Sequence, residues 1–206
     1  MLFRSVIVLT DKGRLNGAGR TYGKPVQNIL GIRVAGYPDP FESRHGDPAG
    51  PSRIFSFAER RDGKALFAAA EQKLLTWFDS LPEAPDVVMV HENGLAQSLA
   101  RSLQQDGYRH RLMILTGHDH LQHIDLYGHI VVVDGGTVGA GGVFGASKSP
   151  VGFAHLNLSL RGRLTSADLV QAQPFTGAAQ ADRVVIATQD PCRADQPLVC
   201  HKPGGP

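Results

Sequence analysis

Apolar residues alternate with polar ones, or form short continuous runs, in several segments of the chain, and this pattern predicts β-strands. The strand pattern occurs at residues 5–10, 29–37, 86–90 and 112–115. Between the last three segments, residues 63–81 and 93–106 repeat apolar positions every three or four residues, which predicts amphipathic helices. Strands that alternate with helices are typical of parallel pairs joined by helical crossovers, so we expect an α/β (α+β) fold.

The second half of the chain is richer in strand patterns than in helical ones. Residues 123–133 predict a hairpin that turns at Gly128, and residues 151–160 and 183–187 predict two further strands. We assign residues 1–187 to a single domain, since 206 residues suit one hydrophobic core. Residues 188–206 contain several prolines and both cysteines, and we assign them to a flexible tail.

Positive and negative side chains are nearly balanced, so the chain lacks the strongly basic character that is typical of nucleic-acid-binding proteins. Lys and Arg number 21 against 19 Asp and Glu, for a net charge of +2. No apolar run approaches the roughly 20 residues of a membrane span, so this chain is expected to be soluble and to carry no membrane segment. A cytoplasmic location and membrane association through a missing N-terminal region both remain open.

Cys192 and Cys200 are the only cysteines of the chain. Their spacing matches neither a zinc knuckle nor a CxxC redox motif. A small disulfide loop and two free thiols are both open at this stage.

Three histidines follow two of the predicted strands. His118 and His120 come directly after residues 112–115, and imidazole is a good ligand for zinc, iron and manganese. The alternative for such a pair is a set of loop histidines that bind only water. His91 ends the strand at 86–90 in the same way, and parallel neighbouring strands would bring all three rings to one edge of a sheet. This convergence favours metal ligation.

The arrangement resembles the C-terminal half of the calcineurin-like metallophosphoesterase family. In that family a hydrophobic strand ends in His, a helix follows, and the next strand ends in a GHxH motif. Here these parts are Asp86–His91 (DVVMVH) and Leu112–His120 (LMILTGHDH). The similarity continues through Ile130–Thr137 (IVVVDGGT) and, more weakly, upstream through Gly31–Pro40 (GIRVAGYPDP).

The resemblance implies a truncated four-layer αββα metallophosphoesterase sandwich and a dinuclear metal centre in the complete domain. The family hydrolyses phosphate mono- or diesters by attack of a metal-bound hydroxide, with two divalent or trivalent ions of manganese, iron or zinc. By position, His91 and His118 would bind one metal and His120 the other. The expected partner is a phosphate-ester substrate.

The chain departs from the family pattern in its first half. The family's DxH, GDxxD and GN-H-D/E motifs occur nowhere in the 206 residues, and residues 1–28 have no room for them. We therefore expect a fragment that begins just downstream of the GN-H-D/E position. Such a fragment would bind metal weakly or partially, would have no catalytic residue of its own and would be inactive alone.

Two other functions stay open. His118, His120 and His123 match the histidine spacing of the metallo-β-lactamase HxHxDH motif, although Gln122 stands where that motif has Asp. A non-catalytic remnant that serves as a binding module is the other alternative. Asp39, between two prolines, is interpreted as a turn former, and the glycines of residues 135–142 as a tight backbone passage beside the metal site.

Overall fold

The described part of the chain forms thirteen strands and two helices. The computed structural model describes residues 7–41, 63–117, 121–136, 151–160, 162–173, 176–188, 191–192 and 195–204. The helices are α1 (Gly63–Asp79) and α2 (Asn93–Gln105). The strands are β1 (Val8–Thr10), β2 (Gly13–Leu15), β3 (Thr21–Tyr22), β4 (Val26–Ile29), β5 (Ile32–Tyr37), β6 (Val87–Val90), β7 (Leu112–Thr116), β8 (His123–Tyr127), β9 (Ile130–Asp134), β10 (Val151–Leu158), β11 (Leu164–Ala172), β12 (Ala179–Val185) and β13 (Val199–His201).

A seven-stranded mixed sheet lies at the centre of the fold. Its strand order is β13-β8-β9-β7-β6-β5-β4. Strands β5, β6, β7 and β9 run parallel, while β4 and β8 run antiparallel to their neighbours β5 and β9. Helix α1 connects β5 to β6, and α2 connects β6 to β7. The predicted parallel pairing of the strands that precede His91 and His118 is therefore confirmed.

Both helices pack on one face of this sheet. The buried positions of α2 include Leu95, Leu99 and Leu103, which repeat every four residues and so share one side of the helix. They join one core cluster with Val88, Ile114 and other inward residues of the parallel strands. Among the described residues, no helix is both long and apolar enough to span a membrane.

A second, antiparallel sheet of β10, β11 and β12 covers the opposite face. Its inward side chains pack on alternate residues of the central strands, because successive side chains of a strand point to opposite faces. This second core includes Met113, Ile124, Val131, Val133, Leu164, Ala167, Leu169 and Val184. The fold class is mixed α/β, as predicted, and the described residues form a helix layer, a mixed sheet and an antiparallel sheet.

Several strand boundaries differ from those that the sequence predicts. Strand β11 was not expected, because its outward positions carry Ser166 and Asp168 and its apolar alternation is weak. Strand β12 covers Ala179–Val185 instead of residues 183–187, and most of it is exposed, so little apolar signal marks its start. Within the described residues the first strand is Val8–Thr10, and it belongs to a small separate sheet of β1, β2 and β3.

The segment assigned to a flexible tail contributes a strand to the central sheet. Strand β13 pairs parallel to β8, and a disulfide joins Cys192 to Cys200. His201 stacks on the Tyr127 ring at 4.1 Å between centroids, and its carbonyl accepts a hydrogen bond from Gln104 Nε2. The described part of residues 188–206 therefore forms a strand with specific contacts to β8, Tyr127 and Gln104, whereas the sequence predicted a flexible tail.

Removing this disulfide should lower the free energy of unfolding. In the chain-entropy view, a cross-link that closes a loop of this size stabilises the fold by about 2.5 kcal/mol. We expect a Cys192→Ala/Cys200→Ala variant to lose about that amount in urea denaturation. The native chain measured with a thiol reductant is the matched control and should coincide with the variant; an unchanged urea midpoint in both would contradict the prediction.

An ion pair links the starts of β5 and β6. The Arg33 guanidinium donates to both carboxylate oxygens of Asp86, with Nη2 2.7 Å from Oδ1 and Nε 3.0 Å from Oδ2, and the Arg33 backbone N–H adds a third bond. These hydrogen bonds from Arg33 lower the pKa of the Asp86 carboxyl below its ordinary value of 3.8, against the opposing effect of burial. The pair joins β5 to the residue before β6 and so helps to fix the register in which these two parallel strands pair.

The Asp86 pair should therefore make stability depend on acid pH. A carboxyl whose pKa is lowered on folding stabilises the protein above its unfolded-state pKa, and this contribution is lost as the pH falls through the folded-state value. We expect Asp86→Asn to cost about 1 kcal/mol at pH 7, since partial exposure of the pair screens it, and to cost progressively less below about pH 4. Urea denaturation at a series of pH values measures the free energy of unfolding. Asp79→Asn, at the exposed end of α1, is the control. Equal losses of unfolding free energy in the two variants would refute the role of the pair.

Candidate metal centre

Polar side chains lie at the carboxyl ends of three parallel strands. Asp39 follows β5, His91 follows β6, and Asp134 is the last residue of β9. Gly117, which follows β7, precedes His118. Because these strands are parallel and adjacent, their carboxyl ends share one edge of the sheet. Functional groups of layered α/β proteins commonly occupy this edge.

His91 stands at the junction between β6 and α2. Its side chain is 47% exposed, so the imidazole is accessible from solvent. Its carbonyl accepts a hydrogen bond from the Gly117 N–H at 3.3 Å, which joins the end of β6 to the end of β7. Gly117 is the residue immediately before His118. His118 and His120 themselves lie outside the described residues, and their ligation stays a prediction.

Asp39 has a second contact beyond the turn that the sequence suggested. Its Oδ1 accepts a hydrogen bond from the Phe41 N–H at 2.8 Å, which is a turn contact of the expected kind. Its Oδ2 lies 3.9 Å from Nε2 of His91, and its side chain is only 3% exposed. The buried carboxylate of Asp39 therefore faces the imidazole that the sequence predicts as a metal ligand, in addition to its turn contact.

Asn93 is a buried amide two residues beyond His91. Only 7% of the residue is exposed, and neither Nδ2 nor Oδ1 has a hydrogen-bond partner among the described residues. The preceding Glu92 caps α2 by accepting a hydrogen bond from the Gly94 N–H. A buried polar group without a partner costs about 1–3 kcal/mol, and in native proteins it commonly serves a site or holds a water molecule. The sequence alone suggested only a helix start at this residue.

Asp134, the last residue of β9, holds together the backbone segments that follow β7 and β9. It is fully buried, and it accepts hydrogen bonds from the Gly136 N–H at 2.7 Å and from the Thr116 hydroxyl at 3.3 Å. Thr116 and Asp134 are also register partners in β7 and β9. The carboxylate thus ties the end of β7 to the first glycines after β9. The rest of the glycine-rich segment predicted as a tight passage, residues 137–142, lies outside the described residues.

Gln122 joins the sheet edge to the second sheet. Its Nε2 is shared among the carbonyls of Phe153, Val170 and Gly135, at 2.9, 3.1 and 3.3 Å. A Cβ atom on Gly136 would lie only 2.6 Å from Gln122 Cγ, and the φ of Gly136 is +78°, so glycine is required there. The side chain that replaces Asp of the lactamase motif is therefore engaged in holding the two sheets together.

Only Nδ1 of His123 has a hydrogen-bond partner; Nε2 is buried and has none among the described residues. Nδ1 lies 3.1 Å from the Leu121 carbonyl, and Nε2 lies 3.4 Å from Oδ2 of Asp125. The other oxygen of Asp125 lies 2.9 Å from Nε2 of His201. His123 and His201 thus flank one buried carboxylate at the β8–β13 side of the sheet.

The donor chemistry at the strand ends suits a transition-metal ion only in part. Imidazole and carboxylate are the ligands that zinc, iron and manganese accept, and His91 with Asp39 offers one of each. Across residues 7–41, 63–117, 121–136 and the later described segments, no three His, Cys, Asp or Glu side chains are close enough together to hold a metal ion. His91 is the one predicted ligand among the described residues, and its ligation stays a prediction.

The chain matches no protein-family model, no curated protein and no solved structure with which it was compared.

Proposed function

We propose that this chain is part of a metal-dependent phosphoesterase that hydrolyses phosphate mono- or diesters. His91 and His118 would bind one metal ion and His120 a second, and the complete domain would be a four-layer αββα sandwich. The bound ions would supply a nucleophilic hydroxide and would neutralise the phosphoryl oxygens. On this proposal the 206-residue chain contributes the three-histidine side of the site.

One observation carries the proposal. The hydrogen bond from Gly117 N–H to the His91 carbonyl joins the first residue of the GHDH segment to the residue that follows β6. The two predicted ligand segments therefore start from adjacent positions on one sheet edge. Loops that follow the carboxyl ends of parallel strands commonly carry the functional groups of layered α/β proteins.

Two buried side chains support a site at this edge. The Asp39 carboxylate, 3.9 Å from Nε2 of His91, would orient the imidazole, as carboxylates commonly do beside metal-bound histidines. The unsatisfied amide of Asn93 offers both a donor and an acceptor close to His91 in the sequence.

The metallo-β-lactamase alternative is less well supported. It requires His123 as a ligand, and Nδ1 of His123 faces the Leu121 carbonyl, whereas the buried Nε2 has no hydrogen-bond partner among the described residues. It also requires an acid at position 122, where the Gln122 amide binds three carbonyls between the two sheets. These contacts favour the phosphoesterase assignment.

Metal-dependent oxyanion binding tests the proposal on this chain alone. We expect tungstate, a phosphate analogue, to bind in calorimetric titration when Mn²⁺ or Zn²⁺ is present and not when EDTA replaces the metal. His91→Ala should abolish the metal-dependent part, whereas His129→Ala, on the exposed turn between β8 and β9, should leave it unchanged. We also expect no metal-dependent turnover of bis(p-nitrophenyl) phosphate, because the family's carboxylate motifs are absent from the sequence.

Two results would count against the proposal. Tungstate binding that ignores both metal and His91 would remove the phosphoesterase assignment. Turnover by the 206-residue chain would preserve the assignment but overturn the expectation that the chain is inactive alone.

A further inference from the structure

Strand β13 is a short strand at one edge of the central sheet. It covers only Val199–His201 and pairs with a single neighbour, β8. Val199 is exposed, and Cys200 and His201 are half-buried. A strand with few buried contacts and few backbone hydrogen bonds opens more easily than the core of a fold, so the attachment of β13 depends on the contacts around it.

Strand β13 nevertheless covers a buried part of β8. The His201 ring stacks on the Tyr127 ring, which is only 1% exposed. Nε2 of His201 lies 2.9 Å from Oδ1 of Asp125, a carboxylate that is also buried. Departure of β13 would therefore expose an aromatic ring, a carboxylate and the backbone edge of β8.

The Cys192–Cys200 disulfide ties this strand to an anchor on the other sheet. Gln196 supplies the anchor: its Nε2 donates to the Pro191 carbonyl, and its Oε1 accepts a hydrogen bond from the Val185 N–H at the end of β12. While the disulfide is intact, Cys200 stays beside Cys192. Cys192 is exposed, so a dissolved thiol can reach the bond.

Neither hydrophobic core is built on β13. Among the described residues, the core between the helices and the central sheet contains no residue of the segment 188–206. The core between the two sheets is contacted at its periphery by Leu198 and Cys200, which are only partly buried. Loss of β13 should therefore leave both cores packed, which is local rather than global unfolding.

We propose that the Cys192–Cys200 disulfide is a redox-controlled latch on β13. A dithiol opens the latch by thiol–disulfide exchange: two electrons and two protons pass to the cysteines, which become thiols, while the dithiol closes to its own disulfide. Strand β13 then leaves β8 while both cores stay folded, and the reverse exchange restores it. The latch needs neither a metal ion nor His91, so it does not depend on the proposed phosphoesterase function.

Amide hydrogen exchange of the full chain, followed residue by residue by NMR with and without dithiothreitol, tests the latch. We expect dithiothreitol to reduce the bond without denaturant. The amides of β13 should then exchange about tenfold faster or more, because reduction removes the restraint of the closed loop. The ring-current shift that Tyr127 imposes on the His201 ring protons should disappear. In the same reduced sample the amides of β9 and α2 should remain strongly protected.

The Cys192→Ala/Cys200→Ala variant is the matched control. It should match the reduced native chain whether or not dithiothreitol is present, which separates loss of the bond from other effects of the reductant. Protected β13 amides and an unchanged His201 shift after complete reduction would overturn the proposal, as would a disulfide that resists the dithiol until urea is added. Loss of protection in β9 and α2 as well would also overturn it, because reduction would then unfold the domain instead of releasing one strand.

Discussion

Replacing His91 with alanine should weaken Zn²⁺ binding by this chain about a hundredfold or more. Even outer partners of metal ligands change affinity by about tenfold to a hundredfold, so loss of a ligating imidazole should have at least that effect. The ring is exposed and makes no part of either core, so its removal should leave the fold intact. Competition titration against a chromophoric chelator measures the affinity.

Two controls make this result specific to the site. His129→Ala removes an exposed histidine at the opposite edge of the sheet and should leave Zn²⁺ affinity unchanged. Asp39→Asn keeps the shape of the side chain that faces His91 but removes its charge, and it should produce a smaller loss than His91→Ala. If His91→Ala and His129→Ala lower the affinity equally, Zn²⁺ binds to surface histidines without a defined centre.

The largest expected loss of stability comes from Leu99→Ala. Leu99 is fully buried in α2, between the helix layer and the central sheet. Truncating a buried leucine removes apolar contacts and leaves a cavity, and it typically costs about 2–5 kcal/mol. Urea denaturation of the variant should show a midpoint far below that of the native chain, with a similar slope.

Leu66→Ala is the matched control for this substitution. Leu66 lies on α1 and is 42% exposed, so its truncation should cost less than about 1 kcal/mol. Equal losses in the two variants would mean that α2 does not pack on the sheet through the Leu99 face.

The parallel part of the fold was predictable because its elements carry strong local signals. Residues 87–90 and 112–115 are continuous apolar runs typical of the inner strands of a sheet, and α2 repeats leucine at helical spacing. Adjacent parallel pairing followed from the helical connection between the two strands. These signals are local, so no knowledge of distant contacts was required.

The remaining strands depend on contacts between distant parts of the chain. Strand β13 is held by a disulfide, by the Tyr127 ring and by the Gln104 amide, none of which is visible in the pattern of residues 188–206. Strand β11 carries polar residues on its outer face and is recognised as a strand only through its register with β10 and β12. Weak local patterns of this kind are decided by tertiary partners.

The sequence predicts the part of the candidate site that directly follows a strong strand pattern. His91 was identified because it ends a strong strand pattern, and the imidazole chemistry pointed to metal. The sequence favours a turn role for Asp39 and a helix start for Asn93, because Asp after proline and Asn at a helix start are common local choices. Their burial beside His91 and within the start of α2 appears only once β5, β6 and both helices are packed together.

A double-mutant cycle for Zn²⁺ affinity on His91 and His118 tests the central claim most directly. If both imidazoles bind the same ion, either single substitution already reduces binding to the level of isolated surface histidines. The account then predicts that His91→Ala/His118→Ala loses no more affinity than each single variant, so that the two effects are strongly non-additive. Losses that simply add, as expected for histidines on separate ions, or no loss in either single variant, would contradict a shared metal centre.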